Sequence, residues 1–227
     1  TWSYAKKPYR LKLKTKASLL GLSPEKDWVL LANYLDPTLM LNATALKLGE
    51  LLDAPFTNHA IPVELTINGT YQGAYTFTEQ IEVESNRVNV KDGILFELDS
   101  YFDEDYKFRS SPYNLPVNIK YPDLTSNTLL EPIKNNLNSA LTLLNHTSFP
   151  NNNYLDYFDS TSYVNYMLVY LLTDNRELNH PKSSYIHLKN DGKYYFGPIW
   201  DFDWAYGYET NTKHLLTYDA SFFNSKP

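Results

Sequence analysis

Two strand-like segments on either side of Asn68-Gly69 constrain the fold of this chain more than any other feature. Apolar and polar residues alternate from Val63 to Ile67, and a second strand-like run extends from Tyr71 to Thr78. A type I′ turn needs positive φ at both central residues, and Asn-Gly adopts that conformation readily. The sequence therefore predicts an antiparallel β-hairpin in the first half of the chain.

The rest of the chain shows strand periodicity first and helical periodicity later. Residues Tyr9 to Lys14 alternate between apolar and basic side chains, which indicates a half-buried strand. Asp36 and Pro37 have the pattern of a helix start, with the aspartate as N-cap. The other expected elements are an apolar helix over 27–35, a helix from Pro37 to about residue 52, strands over 87–90 and 93–98, helices over 123–144 and 159–173, and a hairpin of strands 184–188 and 194–196.

This order of elements predicts an α+β fold with two lobes. We expect a single domain over residues 1–227, with an antiparallel, β-rich lobe over about 1–120 and a helical lobe with a small hairpin over about 121–227. Because the chain begins at Thr1, inside a region that is already structured in this interpretation, we expect the domain to be truncated at both ends.

Composition limits the classes of function. The chain has 227 residues, of which 43% are hydrophobic, so it can bury a sizeable core. Its net charge of -6 argues against nucleic acid as a partner, since phosphate backbones need a basic surface. Cysteine is absent, which excludes disulfides and thiol chemistry. The apolar runs are far shorter than the roughly 20 residues that span a bilayer, so we expect no membrane span.

The segment Asp201-Phe202-Asp203 is the strongest candidate for chemistry. It follows a strand-like run and lies between Trp200 and Trp204, where carboxylates would be buried among aromatic rings. Hard carboxylate oxygens suit Mg²⁺ or Mn²⁺, and a bound cation would explain the burial. The alternative is one aspartate that caps a helix and one that lies on the surface.

A second candidate is the polar loop from Asn175 to Ser183, between an apolar helix and the last hairpin. A loop in this position can bring Glu177 beside the aspartates, as a general base or to orient a nucleophile. Lys182 can neutralise phosphate charge. The alternative is a charged helix end followed by a turn.

The basic strand Lys6 to Lys12 is a third candidate, since an acidic protein can use it to present a lysine to nucleotide phosphates. Glu79, at the end of the hairpin, can pair with that strand as a glutamate pairs with the strand lysine of kinases. The alternatives are a solvated edge strand, in which lysines discourage aggregation, and an isolated charge at a strand end.

A carbohydrate site is a further possibility that the residues leave open. Aromatic residues make up 15% of the chain and can stack on sugars, although a tyrosine-rich core accounts for them equally well. Glu177 and Asp201 are two carboxylates of the kind that a glycosidase places across its cleft. The five histidines have no spacing typical of a zinc site.

Taken in order, several segments resemble the CotH family of spore-coat-type protein kinases. The segments that carry the resemblance are Lys6 to Lys12, Trp28 to Asp36, Asn68 to Tyr75 with Glu79 to Ile81, Arg87-Val88, Gly93 to Asp99, and Gly197 to Asp203. They cover nearly the whole chain, and the Asn-Gly-x-Tyr-x-Gly-x-Tyr and Trp-Asp-x-Asp motifs are the most specific. The Asn-x-Glu loop is similar to that of CotH-like proteins from gut Bacteroidetes.

The resemblance implies an atypical protein-kinase fold that uses ATP with Mg²⁺ or Mn²⁺ to phosphorylate a Ser or Thr hydroxyl of another protein. It implies that Asp201 binds the metal, with Asp203 beside it, and that Glu177 stands at the catalytic carboxylate position. Lys7 and Glu79 correspond to the phosphate-binding lysine and its acidic partner. The basic residues that the resemblance places near the nucleotide are Arg87 and Lys120. By family analogy the protein is secreted or on the cell surface.

Three departures from the family pattern favour an alternative, a catalytically inactive kinase-like binding module. Glu177 replaces an aspartate, which moves the carboxylate outward by one methylene. Leu41 stands where the family commonly has an arginine, so one cation is missing. The family's Arg-Gly-Asn segment would precede Thr1 and is not part of this sequence.

Overall fold

A computed structural model describes residues 4–206 of the 227-residue chain, and within them it contains nine strands and three α-helices. The strands are β1 (Tyr9–Ala17), β2 (Glu25–Leu31), β3 (Ile61–Ile67), β4 (Thr70–Glu79), β5 (Ile94–Leu98), β6 (Lys107–Arg109), β7 (Pro116–Tyr121), β8 (Ser184–Leu188) and β9 (Tyr194–Phe196). The helices are α1 (Leu41–Leu51), α2 (Asn127–Leu144) and α3 (Ser160–Leu172). The fold is therefore α+β, as expected.

The first sheet has four antiparallel strands in the order β1-β2-β4-β3. It contains the hairpin predicted from sequence, and Asn68 and Gly69 have φ of 50° and 80°, as the type I′ turn requires. Apolar residues of this sheet, including Trp28, Leu30, Tyr75 and Phe77, form a cluster on one face. The opposite face of β1 and β2 is left to line a cleft.

The helix expected over 27–35 is wrong, because Glu25–Leu31 forms strand β2. This strand is central in the sheet, and side chains on both of its faces are buried: Trp28 and Leu30 on one face and Val29 on the other. A strand buried on both faces is apolar without alternation, and a short apolar run of this kind cannot be distinguished from a buried helix by periodicity.

The helix expected to begin at Pro37 begins four residues later, at Leu41. Asp36 still stabilises its start, because the carboxylate accepts hydrogen bonds from the N–H groups of Thr38 and Leu41, both at 2.8 Å. The φ of 62° at Leu39 prevents helical geometry in between.

The strand expected over 87–90 is absent, and these residues form a turn. Its backbone groups bond locally: the N–H of Val88 donates to the carbonyl of Glu82 at 3.3 Å, and that of Val90 to the carbonyl of Val88 at 3.0 Å. The buried side chains of Val88 and Val90 pack against β5 as a covering segment, which explains their apolar character.

The second sheet has five strands in the order β6-β7-β5-β8-β9. Its strand β5 pairs with β7 on one side and with β8 on the other, so the sheet joins strands from both sides of the lobe boundary expected near residue 120. Strands β6 and β7 were not predicted, since β6 has three residues and the polar Asn118 and Lys120 interrupt β7.

Helices α2 and α3 cover different surfaces. Leu137, Ala140 and Leu141 of α2 pack with the second sheet in one core cluster. Tyr166, Val169 and Tyr170 of α3 pack with α1 and with the segment after β9 in another. Within residues 4–206, none of the helices has the length and apolar character needed to cross a bilayer. The contact between α1 and α3 fixes the position of the residues around Phe202.

Candidate active site

Phe202 anchors the aspartate segment that follows β9. Its side chain is fully buried, with its ring centroid 4.9 Å from that of Tyr170 on α3. Its backbone N–H donates to the side-chain oxygen of Asn42 on α1 at 2.8 Å. Asp201 has a φ of 63°, a left-handed conformation that aspartate tolerates better than most residues do. The buried phenylalanine between Asp201 and Asp203 thus holds both carboxylates at one place.

Both aspartates line a cleft of about 410 Å³ between the first sheet and the segment after β9. Lys6 and Arg10 line the same cleft and are its cationic residues. The other residues along its wall are Tyr4, Pro8, Tyr9, Val29, Leu31, Ala32, Asn33, Tyr34, Asn42, Gln80 and Trp200. An apolar wall with acidic and basic groups at its edge is typical of a small-molecule site.

The side chains of Asp201 and Asp203 are hydrogen-bonding neighbours, and the pKa of each carboxyl group is raised. Burial, followed by the repulsion and hydrogen bond of Asp201, raises the pKa of Asp203 to about 8. Burial also raises the pKa of Asp201. Because burial disfavours the charged forms of these two acids, a bound cation would stabilise those forms.

Glu177 lies beside this pair. It sits in a 3₁₀ turn, Arg176–Asn179, where its N–H donates to the side-chain oxygen of Asn175 at 3.0 Å. The residue is 3% exposed. Burial, followed by repulsion from Asp201 and Asp203, raises its pKa to about 9. The structure therefore brings the predicted catalytic glutamate together with both predicted metal ligands.

Lys182 completes the cluster. Its ammonium lies 5.0 Å from the ring centroids of both Tyr101 and Trp204. Burial acts to lower the pKa of Lys182, but Tyr101 and the acids Glu177, Asp201 and Asp99 outweigh it, so that the pKa is raised. Lys182 is thus a charged side chain beside Glu177, Asp201 and Asp99.

Lys7 and Glu79 are not brought together. In residues 4–206 they form no ion pair with each other; Lys7 donates to the carbonyl of Tyr4 instead. The carboxylate of Glu79 accepts hydrogen bonds from His59, at 2.9 Å from the backbone N–H and 2.6 Å from Nδ1. Of the two neighbouring lysines, Lys6 is the one that lines the cleft.

Arg87 and Lys120, which the resemblance placed near the nucleotide, do not line the cleft. The guanidinium of Arg87 is buried, donates to the carbonyls of Asp27 and Gln80 at 2.8 and 2.9 Å, and pairs with Glu82. Lys120 lies on β7, where it pairs with Glu104 and, at 3.3 Å, with Glu97. The contacts of Arg87 connect the segment that contains Val88 and Val90 to β2. The contacts of Lys120 connect the loop after β5 to the second sheet.

Three residues of the site were not singled out from the sequence. Lys6 and Arg10 stand in the basic strand already noted, so the signal was present but pointed to Lys7. Asn42 matches the asparagine of the family's Arg-Asn pattern, but nothing near it in the sequence reveals its contact with Phe202, 160 positions away.

A divalent cation fits this site only if a bound phosphate group and water complete its coordination shell. No group of three or more His, Asp or Glu side chains in the described part of the chain is arranged to hold a metal by itself. Mg²⁺, however, is commonly held by one or two carboxylates, with phosphate oxygens and water completing its shell. The buried residues Asp201 and Asp203 would supply those two carboxylates.

Comparison with known families identifies the class of protein. The model of the CotH kinase protein family matches residues 1–225, which is almost the entire chain. The protein belongs to the CotH family, and it is thus a CotH-like kinase with a kinase-like α+β fold. A comparison with curated proteins gives no match.

Proposed function

We propose that the protein is an ATP- and divalent-metal-dependent kinase that transfers the γ-phosphate to Ser or Thr hydroxyls of an extracellular or surface protein. The supporting observation is that Asp201 and Asp203 line one cleft with Lys6 and Arg10 and are electrostatically coupled to Glu177. The cleft carries acidic groups for a cation and basic groups for a triphosphate, and Glu177 interacts electrostatically with its aspartates.

The aspartates and the cations have complementary roles in this proposal. Asp201 and Asp203 would hold the divalent ion, which when bound neutralises charge on the β- and γ-phosphates. Lys6, Arg10 and Lys182 would bind phosphate oxygens. The part of the cleft lined by Val29, Leu31 and Tyr34 is suited to the nucleobase.

Glu177 would accept the proton of the attacking hydroxyl. As the hydroxyl oxygen forms its bond to the γ-phosphorus, the bond from that phosphorus to the β–γ bridging oxygen breaks, and ADP leaves with the electron pair. A pKa of about 9 keeps Glu177 protonated at pH 7. Burial is the largest cause of that value and repulsion from both aspartates adds to it, so neutralisation of the aspartates would lower the pKa of Glu177 and make it a better base.

A catalytically inactive binding module is the second candidate. It is favoured by Glu177, whose carboxylate is one methylene further from the backbone than the aspartate of the family pattern. Misplacement of a catalytic group by about 1 Å can cost about a hundredfold in rate. In this case nucleotide binding would persist without transfer.

Calorimetric titration of ATP in the presence of Mg²⁺ or Mn²⁺ tests the proposal. We expect metal-dependent binding in the wild type and its loss in Asp201→Asn. Asp123→Asn is the matched control, because that aspartate is exposed and lies outside the cleft. Absence of ATP binding with either metal would contradict the kinase proposal, and binding of oligosaccharides instead would support a carbohydrate-binding domain.

A further inference from the structure

A line of buried amide and hydroxyl groups connects the first sheet to the aspartate segment. It runs from Thr76 on β4 through Asn33, after β2, to Asn42 on α1, and ends at the N–H of Phe202. We propose that Asn42 is a positioning residue that fixes the backbone at Asp201 and so directs the carboxylates of Asp201 and Asp203 into the cleft. The inference rests on the proposed function for its catalytic consequence.

The bond from Asn42 acts on the conformation of Asp201. The N–H of Phe202 belongs to the peptide plane that follows Asp201, so its direction depends on the ψ angle of Asp201. An acceptor 2.8 Å from that nitrogen therefore restrains this angle. The restraint matters here because Asp201 has a φ of 63°, which few residues other than glycine adopt without support.

Asn42 is itself held in place from two directions. Its side-chain nitrogen lies 3.5 Å from the side-chain oxygen of Asn33, and the side-chain nitrogen of Asn33 donates to the hydroxyl of Thr76 at 2.8 Å. All three residues are buried. The helix that carries Asn42 is fixed at its first residue by the bond from Leu41 N–H to Asp36. The acceptor for Phe202 is therefore part of a rigid framework.

Burial of the Phe202 side chain does not by itself restrain the peptide between Asp201 and Phe202. The packing of its ring against Tyr170 fixes the side chain, but a buried ring is compatible with more than one orientation of the preceding peptide. A hydrogen bond to a specific N–H is directional and selects one of them. Asn33 and Asn42 also line the cleft, so they link its wall to the aspartates at its end.

Amide exchange of Phe202 gives a direct test in protein labelled with ¹⁵N-phenylalanine. In Asn42→Ala we expect exchange about tenfold faster, since one buried hydrogen bond is lost. Asn42→Asp keeps an acceptor in the same place and is expected to restore slow exchange. Asn58→Ala is the matched control: it removes another buried amide, which donates to the carbonyl of Glu79 at 2.7 Å, away from Phe202.

The functional consequence is measured as the Mg²⁺ concentration that supports half-maximal ATP binding. We expect it to rise about tenfold in Asn42→Ala, as for the loss of one hydrogen bond that orients a ligand, and to stay unchanged in Asn58→Ala. If Asn42→Ala does not fold, Asn33→Ala, which removes the contact with Asn42 and the bond to Thr76, should accelerate Phe202 exchange by a smaller factor.

Unchanged Phe202 exchange in both Asn42→Ala and Asn33→Ala would overturn the inference, as would an equal acceleration in Asn58→Ala. The exchange measurement needs no nucleotide. A wild-type protein that binds no ATP would therefore contradict the proposed function while Phe202 exchange still decides whether Asn42 restrains the backbone.

Discussion

The carboxylate of Asp99 accepts a hydrogen bond from the backbone N–H of Ser183 at 3.1 Å, which ties the loop after β5 to the residues beside Lys182. The same carboxylate accepts the N–H of Tyr101 at 2.7 Å, and the N–H of Ser100 donates to the carbonyl of Pro181 at 2.8 Å. Two loops far apart in sequence therefore form one wall around the Lys182 ammonium.

Asp99→Ala is expected to lower the free energy of unfolding by about 2 kcal/mol, because two backbone N–H groups lose a charged acceptor. Denaturation in guanidinium chloride measures this change. Asp103→Ala, an exposed aspartate on the same loop, is the control and should change stability little. Equal stability of both variants would show that Asp99 does not hold the loops together.

Glu177→Gln should leave Mg²⁺–ATP binding intact but reduce phosphate transfer by about a hundredfold or more, the range for loss of a general base. The amide keeps the size of the side chain and removes its ability to accept a proton. Release of ADP and labelling of the protein from γ-labelled ATP provide the measurement. Transfer at the wild-type rate in this variant would exclude Glu177 as the base.

The stability of the metal-free protein should decrease as pH rises from about 5 to 9. Glu177 has a folded-state pKa of about 9, above its ordinary value of 4.5, so between these values the folded state binds more protons than the unfolded state does. The stabilisation is complete below the ordinary pKa and is lost as pH rises through the folded-state pKa.

This pH dependence is measured as the free energy of unfolding at several pH values in the presence of a chelator. Glu177→Gln should show a shallower slope, since the amide does not titrate. Glu131→Gln, at an exposed position on α2, should retain the wild-type slope. A slope in Glu177→Gln that matches the wild type would contradict the raised pKa of Glu177.

Arg87→Ala should reduce the free energy of unfolding by about 3 kcal/mol, because it leaves Glu82 and two backbone carbonyls without their buried cation. ATP affinity of the folded variant should not change, since Arg87 does not line the cleft. Arg109→Ala, at an exposed arginine on β6, is the stability control. A large loss of ATP affinity with little loss of stability would restore the nucleotide-binding role expected from sequence.

Local patterns predicted those parts of the fold that depend on neighbouring residues. The Asn68-Gly69 turn and the N-cap at Asp159, which accepts the N–H of Ser162 at 2.7 Å, are determined within a few residues. The strand β2 was mistaken for a helix because its apolar run reflects partners on both sides, β1 and β4, that the run itself does not identify.

In the site, too, features set by neighbouring residues could be predicted, whereas features set by distant partners could not. Asp201 and Asp203 were found because carboxylates among aromatic residues are unusual in any sequence, and Glu177 was found because its polar loop leads into the hairpin that precedes them. The sequence interpretation selected Lys7, but Lys6 is the lysine that lines the cleft. The side chains of neighbouring residues near the start of a strand point in different directions, and the sequence does not show which of them faces the aspartates.

The pairing of β5 with β8 has a consequence for how the protein forms. Leu98 lies opposite Ser184, so the second sheet has high contact order and cannot be completed until the chain has been synthesised through β9. During synthesis the first sheet can assemble from contacts within residues 9–79, whereas Glu177, Asp201 and Asp203 reach their positions last. A nascent chain would thus present the cleft wall before it acquires the acidic groups of the site.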